Sequence, residues 1–472
     1  MKKIFKRTIS TAVFAALVLS SVTALPFGKK AKKTSKIEYT QFDDVEKKTD
    51  KSGKVYDLGG MSIAIVDWWS GKNAEDIPAN SPAEEETRAF HKWLQQTYNF
   101  TMIQKQLGVS WDKHPEDVAN FCMSKSKENY VIVIDPRSAI TGVKAGLYYD
   151  LSKLDNIDWS DPKWASGTEK ILTKGKSFYA MRPLAPEPRG GVFFNKRLLQ
   201  EAGIDPDLPY DLQKQGKWTW KTFEDLVKKC TFDADNDGVI DHYGMANSST
   251  EFVPLAVMSN GVHMIGRDKN GKLVNNVGTD QSLEALSWCA HMATSYEMPQ
   301  PEGSNWDWMY AAFLNGQVAF LVDQQYHTNR NGDFFNMVDD YGFVCFPLGP
   351  KGDGKYKTLH NDNMYVLPAF YDDARAAKIA KAFDLWTDPT PGYDGPDAWK
   401  DGFYPCFRDA RAVDETLELM RAEPNPRFDT MISGINYMGD VIWVVYPGYV
   451  TPQQAYEDTK NNWAALIKEA TY

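Results

Sequence analysis

Residues Met61-Ser-Ile-Ala-Ile-Val-Asp-Trp-Trp69 form an apolar run with a polar and aromatic tip. Such a run reads as a strand. Ser81-Pro-Ala-Glu84 is a capping box with proline at the first helical position, and it predicts a helix to about Tyr98. Phe100 to Leu107 reads as a second strand, Pro115 to Lys127 as a second helix, and Tyr130-Val-Ile-Val-Ile-Asp135 as a third strand. Three strands and two helices in alternation, with short connections, predict a doubly wound parallel sheet. Ligands of such sheets sit beyond the carboxyl ends of the strands. That rule singles out Asp67, Trp68, Trp69, Asp135 and Arg137 as candidate binding residues. Adjacent side chains on a strand face opposite ways, so one of the two tryptophans is expected in a cleft. The plainer alternative is a packed strand end.

Outward from this unit, Pro183, Pro186 and Pro188 lead to Arg189-Gly-Gly191, which reads as a crossing between two α/β regions. Val192 to Phe194 is a strand, and Asn195 to Ala202 a short helix stopped by Gly203. Thr219 caps a helix whose Phe223, Leu226, Val227 and Cys230 fall on one stripe. Helices are expected at Phe252–Asn260 and Gln281–Tyr296. Asn305-Trp-Asp-Trp308 leads into another at Tyr310–Asn315. Gln317 to Asp323 is a buried strand ending in Gln324-Gln-Tyr326, and Tyr341–Phe346 and Asn361–Pro368 are further strands. Asp372 to Thr387 is a long amphipathic helix, and Thr451 caps a last helix that runs to about Glu469. A chain of 472 residues exceeds one hydrophobic core, so two lobes are expected.

Met1 to Ala24 reads as a secretory signal: Lys2, Lys3, Lys6 and Arg7, then the apolar run Ile9–Val22, then Val22-Thr-Ala24 as a cleavage site. Leu25 to Gly53 lacks apolar periodicity and reads as a flexible lead. The expected location is outside the cytoplasm: extracellular, at the cell surface or periplasmic. Losing the signal removes four basic and no acidic residues, which takes the net charge from −10 to about −14. An acidic surface argues against nucleic acid and anionic membrane as partners. The five cysteines, 122, 230, 289, 345 and 406, have no metal spacing. They read mostly as free buried thiols, with one disulfide as the alternative.

Gly349-Pro-Lys-Gly-Asp-Gly-Lys-Tyr356 nearly matches a phosphate-binding loop, but Tyr356 stands where a magnesium-binding hydroxyl belongs, so it reads as a turn. Asp233, Asp235, Asp237, Val239 and Asp241 match the first nine positions of a helix–loop–helix calcium loop. The twelfth position is Gly244 instead of glutamate. A structural calcium is the one cofactor this loop admits, and none is required. The alternative is an Asx-rich turn.

Several stretches together carry a family pattern. They are Gly191-Val-Phe-Phe-Asn-Lys-Arg-Leu-Leu-Gln-Glu-Ala-Gly-Ile204, Trp218-Thr-Trp-Lys-Thr-Phe-Glu-Asp-Leu226, Ala311-Ala-Phe-Leu-Asn-Gly-Gln-Val-Ala-Phe320, Phe346-Pro-Leu-Gly-Pro-Lys-Gly352, Ala374–Trp386 and Thr451-Pro-Gln-Gln-Ala-Tyr456. With them the chain resembles the extracellular solute-binding proteins of family 1, the maltose-binding-like receptors of ABC sugar importers. No cysteine stands at the cleavage site, where Gram-positive members carry a lipid anchor. The resemblance implies a periplasmic-binding-protein-like fold of two α/β lobes. Lobe I is expected at 55–185 and 325–370, lobe II at 186–324 and 371–472. The crossings are expected near Arg182–Gly191 and Asp323–Tyr326.

The resemblance also implies a monomeric receptor that closes on a carbohydrate and hands it to an ABC permease in the membrane, with no catalysis. Sugar rings need flat aromatic faces and planar polar groups. That adds Trp306, Asp307, Trp308, Gln324, Gln325, Tyr326, Asn361, Asp362 and Asn363 to the candidates, with Trp443 and Tyr446 as weaker ones. The alternatives are an exported glycoside hydrolase with paired carboxylates, or a receptor for a non-sugar solute.

Overall fold

A computed structural model describes residues 39–71, 77–108, 110–164, 172–183, 187–233, 235–330, 332–361, 363–422 and 427–470. The secretory signal and the first part of the lead lie outside these residues. From residue 39 onward the lead is docked, not flexible. Phe42 is buried in the first core, its ring 5.2 Å from Phe90 and 6.1 Å from Trp93. Tyr39 and Val45 pack beside it and Lys48 N donates to the Tyr98 hydroxyl, contacts at no regular spacing that periodicity could not reveal.

The first sheet joins β1 (Met61–Asp67), β2 (Phe100–Gln106) and β3 (Asn129–Ile134). β1 pairs in parallel with both neighbours, Met61 opposite Phe100 and Ile63 opposite Asn129. Helices α1 (Pro82–Tyr98) and α2 (His114–Ser124) make the crossovers. Ser81 Oγ accepts from Glu84 N and the Glu84 carboxylate accepts from Asn80 N, so the expected cap is present. Both faces of the sheet are covered. Ile63, Ile65, Val131 and Val133 enter one cluster; Ala64, Val66, Ile132 and Ile134 enter the other. Period-two alternation therefore reads as a continuous apolar run, as parallel sheets require. Helix α3 (Pro136–Lys144) follows β3 directly and is capped by Asp135.

The second sheet contains β4 (Gly190–Asn195), β5 (Tyr243–Asn247), β6 (Val318–Gln324) and β7 (Tyr341–Val344), in the order β7-β4-β6-β5. β6 is parallel to β5 and antiparallel to β4, with Phe320 opposite both Met245 and Phe194. Gly191 is needed here: a Cβ would stand 2.4 Å from the Phe343 ring. Helices α4 (Trp220–Lys229), α5 (Ser249–Ser259) and α6 (Asp280–Tyr296) pack this lobe. The Trp220 and Trp288 rings stack at 4.3 Å, and Trp220 Nε1 donates to Ser259 Oγ. Helix α7 (Trp308–Leu314) leads through Gly316 into β6.

Two boundaries differ from the expected lobes. β7 belongs to the second sheet, so residues 325–344 stay in the second lobe. The return strand is β8 (Met364–Val366), antiparallel to β3. The second crossing is therefore at 359–363, and not near Asp323–Tyr326. Helix α8 (Asp373–Trp386) packs against the first sheet, with Ile379 and Phe383 buried beside Val131 and Val133. Residues 373–386 thus belong to the first lobe. An amphipathic stripe fixes which helix face is buried, not which sheet buries it. The last helix, α9 (Pro452–Ala470), lies on the second lobe, and Lys144 Nζ on α3 reaches the Glu469 carbonyl. All five cysteines are free and buried.

Candidate ligand cleft

The cleft floor is made by the first two crossings, which run antiparallel. Arg189 N donates to Leu359 O at 2.7 Å, Asn361 N to Glu187 O at 2.8 Å, and Met181 and Tyr365 exchange both backbone bonds. Such a pair resists shear but bends at its ends, the geometry of a hinge. Glu187 also accepts from Arg189 and from Gln325 Nε2. Gln325 is fully buried, and its N–H donates to Arg189 O. It clamps the hinge and is not free to meet a ligand, contrary to expectation. Burial raises the Tyr365 hydroxyl above its ordinary pKa; Arg182 opposes this, and Asp67 and Glu187 add to it. These charges meet at the floor, where the end of β1 approaches the crossings.

On the first-lobe wall, Asp67 closes β1 and is buried. Its carboxylate accepts from Trp69 N, Ser70 N, Ser70 Oγ and Gln104 Nε2, at 2.5–2.8 Å. Both oxygens are committed, so Asp67 shapes the loop that carries the tryptophans. The strand ends at Asp67, and alternation ends with it. Trp68 and Trp69 meet edge to face at 4.8 Å, Trp68 also packs on His114, and Trp69 is 52 % exposed. Asp135 accepts from Arg137 N, Arg137 Nε and Trp111 Nε1. The Arg137 guanidinium lies 3.5 Å above the Trp111 ring. Trp111 is half-exposed and was not among the expected residues. It stands in a loop with no periodicity; its only signal in the sequence was an indole followed by Asp112 and Lys113.

On the second-lobe wall, β6 ends in Asp323 and Gln324. Gln324 Nε2 donates to Glu251 Oε1 at 2.8 Å, and Gln324 N to Asp323 Oδ1 at 2.6 Å. Burial, then the neighbouring Asp323, pushes the Glu251 carboxyl up to about 7. Asp323 Oδ2 and Glu251 Oε2 are buried without a hydrogen-bond partner among the described residues. Tyr326 is half-exposed with Arg189 5.1 Å from its ring. Burial lowers the pKa of His327, but Asp323 at 3.4 Å and Asp333 at 2.6 Å outweigh it and raise it. Arg427 pairs with Asp429 and lies over the Tyr437 ring, and its charge pulls against the rise at Glu251. Glu251, Arg427 and Tyr437 carried no sequence signal, because only folding brings the start of α5 and the C-terminal segment to the end of β6.

The structure separates the remaining candidates from these walls. Asn361 accepts from Asn363 N and shapes the second crossing. Asp362 lies outside the described residues. Trp306, Asp307 and Trp308 stand at the start of α7, where Asp307 and Trp308 line a flank recess. Trp443 is exposed after the π-helical turn Met438–Ile442. Tyr446 is core: its ring packs on Phe252 and its hydroxyl meets Glu297.

Residues 130–386 match the family model described as bacterial extracellular solute-binding protein. The chain belongs to this family. No curated protein matches it. The fold is that of solved solute-binding proteins. One is an ABC substrate-binding protein from Listeria monocytogenes in complex with cycloalternan, at TM-score 0.58 and 16 % identity, over 86 % of this chain and 99 % of that one. Another is the cyclic α-maltosyl-1,6-maltose binding protein from Arthrobacter globiformis, at TM-score 0.59 and 13 % identity, over 87 % and 100 %. A third, UgpB from Mycobacterium tuberculosis in complex with glycerophosphocholine, has TM-score 0.58 and 13 % identity over 87 % and 99 %. These identities carry the fold alone. Among the described residues, no helix of this solute-binding protein is long and apolar enough to cross a membrane.

Away from the cleft, Asp233, Asp235 and Asp237 bring carboxylate oxygens within 4.8 Å of one another. Their turn is held by backbone donors: Asn236 N and Gly238 N reach Asp233, and Val239 N reaches Asp237. Three hard oxygen donors suit calcium. The twelfth position cannot help, because Gly244 sits in β5 and a Cβ there would stand 2.1 Å from Val227 O.

Proposed function

We propose that this solute-binding protein captures a carbohydrate outside the cytoplasm by hinge closure and delivers it, unmodified, to an ABC permease. The carrying observation is the chemistry of the facing walls. The first lobe offers indole faces at Trp69 and Trp111, with Arg137 on the latter. The second offers Tyr326 and the unpartnered carboxylate oxygens of Glu251 and Asp323. Flat rings stack on the C–H faces of a sugar, and carboxylates accept from its hydroxyls. A ligand that touches both walls stabilises the closed form by its extra contacts there.

Structural relatives were solved with cycloalternan and maltotetraose, which supports the oligosaccharide class. The relative holding glycerophosphocholine makes a phosphodiester the competing solute. A thermal-shift screen of neutral oligosaccharides against glycerophosphodiesters and peptides separates them, since ligand raises the melting temperature by mass action. Neutral sugars should shift it. A shift with phosphodiesters or peptides only would sink the reading, and sugar cleavage on prolonged incubation would make the protein a hydrolase instead. In this reading a calcium ion at Asp233–Asp237 ties down a surface loop. Added calcium should then raise the melting temperature in the wild type and not in Asp235→Asn; equal melts with and without calcium would leave the loop a plain turn.

A further inference from the structure

The second lobe carries a recess of about 390 Å³ on its flank. Asn305, Asp307, Trp308, Tyr310, Gln317 and Asp333 contribute its polar and aromatic lining. The volume falls within the span of about 300–1,000 Å³ found for small-ligand sites. Helix α7 forms its wall. The chain runs down α7, turns at Gly316 and returns along β6. Two residues of its lining, Tyr310 and Asp333, touch the buried His327, which follows Tyr326 in the chain. The Tyr310 ring lies 4.4 Å from the His327 ring, and Asp333 bonds His327 Nδ1 at 2.6 Å. Beside the recess Trp306 is 76 % exposed and meets Tyr310 edge-on at 6.3 Å. An indole left in water next to a polar hollow does little for packing.

We infer that this recess is an extension subsite for oligosaccharides, holding rings that continue from the cleft past Tyr326 and His327. The inference rests on the carbohydrate reading above. The recess repeats the pairing seen in the cleft, indole faces with planar carboxylates and amides. No lysine or arginine lines it, and Asp307 and Asp333 give it negative charge. It therefore suits neutral sugars and repels a phosphate or uronate. Chain-length preference is then decided at α7, beyond the reach of a single ring held between the lobes.

Calorimetric titration of the full chain with maltose through maltohexaose, and with mannobiose through mannohexaose, tests this. The wild type should bind longer members of one series more tightly than its disaccharide. Trp306→Ala should weaken the longer members about 10-fold, the worth of a stacked ring, and the disaccharide less than about 2-fold. Asp307→Ala should show the same split. Both side chains are exposed, and an unchanged melting curve checks that the fold is kept. Affinity that is level with length, or equal losses at every length, would overturn the subsite while leaving sugar capture intact. Binding of neither series to the wild type would overturn both.

Discussion

Glu251 is where a single residue links pH to function. Burial, then Asp323, pushes its carboxyl up to about 7, above its ordinary 4.5. A ligand hydroxyl donates more strongly to the ionised form than to the acid, so sugar affinity should rise as pH climbs through 7 and stay level in Glu251→Gln. Titrations at pH 6 and pH 8 decide it, and equal affinities in the wild type would refute it. Glu297 is likewise pushed up to about 7 by burial, though Asn247 N and the Tyr446 hydroxyl favour its ionised form. A raised carboxyl binds a proton more tightly folded than unfolded. Its contribution is therefore present below about pH 4.5 and lost as pH rises through about 7. The melting temperature of the wild type relative to Glu297→Gln should fall across that window. Neither acid stood out in the sequence, because the desolvation that shifts them comes from distant segments.

At the scale of elements, caps and periodicity carried the reading. Thr219 and Thr222 form the box that starts α4, with Thr219 Oγ1 accepting from Thr222 N. Removing that acceptor in Thr219→Ala should cost about 1 kcal/mol in urea unfolding. Trp218, just before it, is fully buried, with Nε1 donating to Cys345 O at 2.7 Å. Trp218→Ala should cost about 3–5 kcal/mol through lost burial and the cavity it leaves. β1 to β3 were legible because apolar runs bounded by caps leave little choice. The lobe boundaries drawn from the resemblance misplaced β7 and α8, and periodicity could not correct them. A stripe states that a face is buried, and both sheets offer a face to bury it.

At the scale of the whole molecule, the hinge sets what binding looks like. Two antiparallel segments join the lobes at the cleft floor, clamped by Glu187 and Gln325, the chain passes back to the second lobe between Trp386 and Ala412, and α9 reaches across to α3. Ligand should reduce the radius of gyration in solution scattering as the lobes close; an unchanged radius at saturating sugar would refute hinge closure. No disulfide supports either lobe, since all five cysteines are free and buried. Reducing agent should leave the melting temperature unchanged.

The sequence by itself determined the local structure, the two-lobed α/β class and the family, because these follow from periodicity, caps and turn residues that neighbours in the chain supply. Strand-end logic also named Trp69, Asp135, Arg137, Gln324 and Tyr326 as candidates. Tertiary structure alone decided which of those groups are spent. Asp67 is saturated by protein donors and Gln325 Nε2 is held by Glu187, while Glu251, Asp323 and the Gln325 amide keep buried oxygens unpartnered. It alone joined Trp111 to Arg137 and set Trp306 beside a recess on the flank. Hydrogen-bond satisfaction and burial depend on contacts between residues far apart in the chain, and no local pattern encodes them.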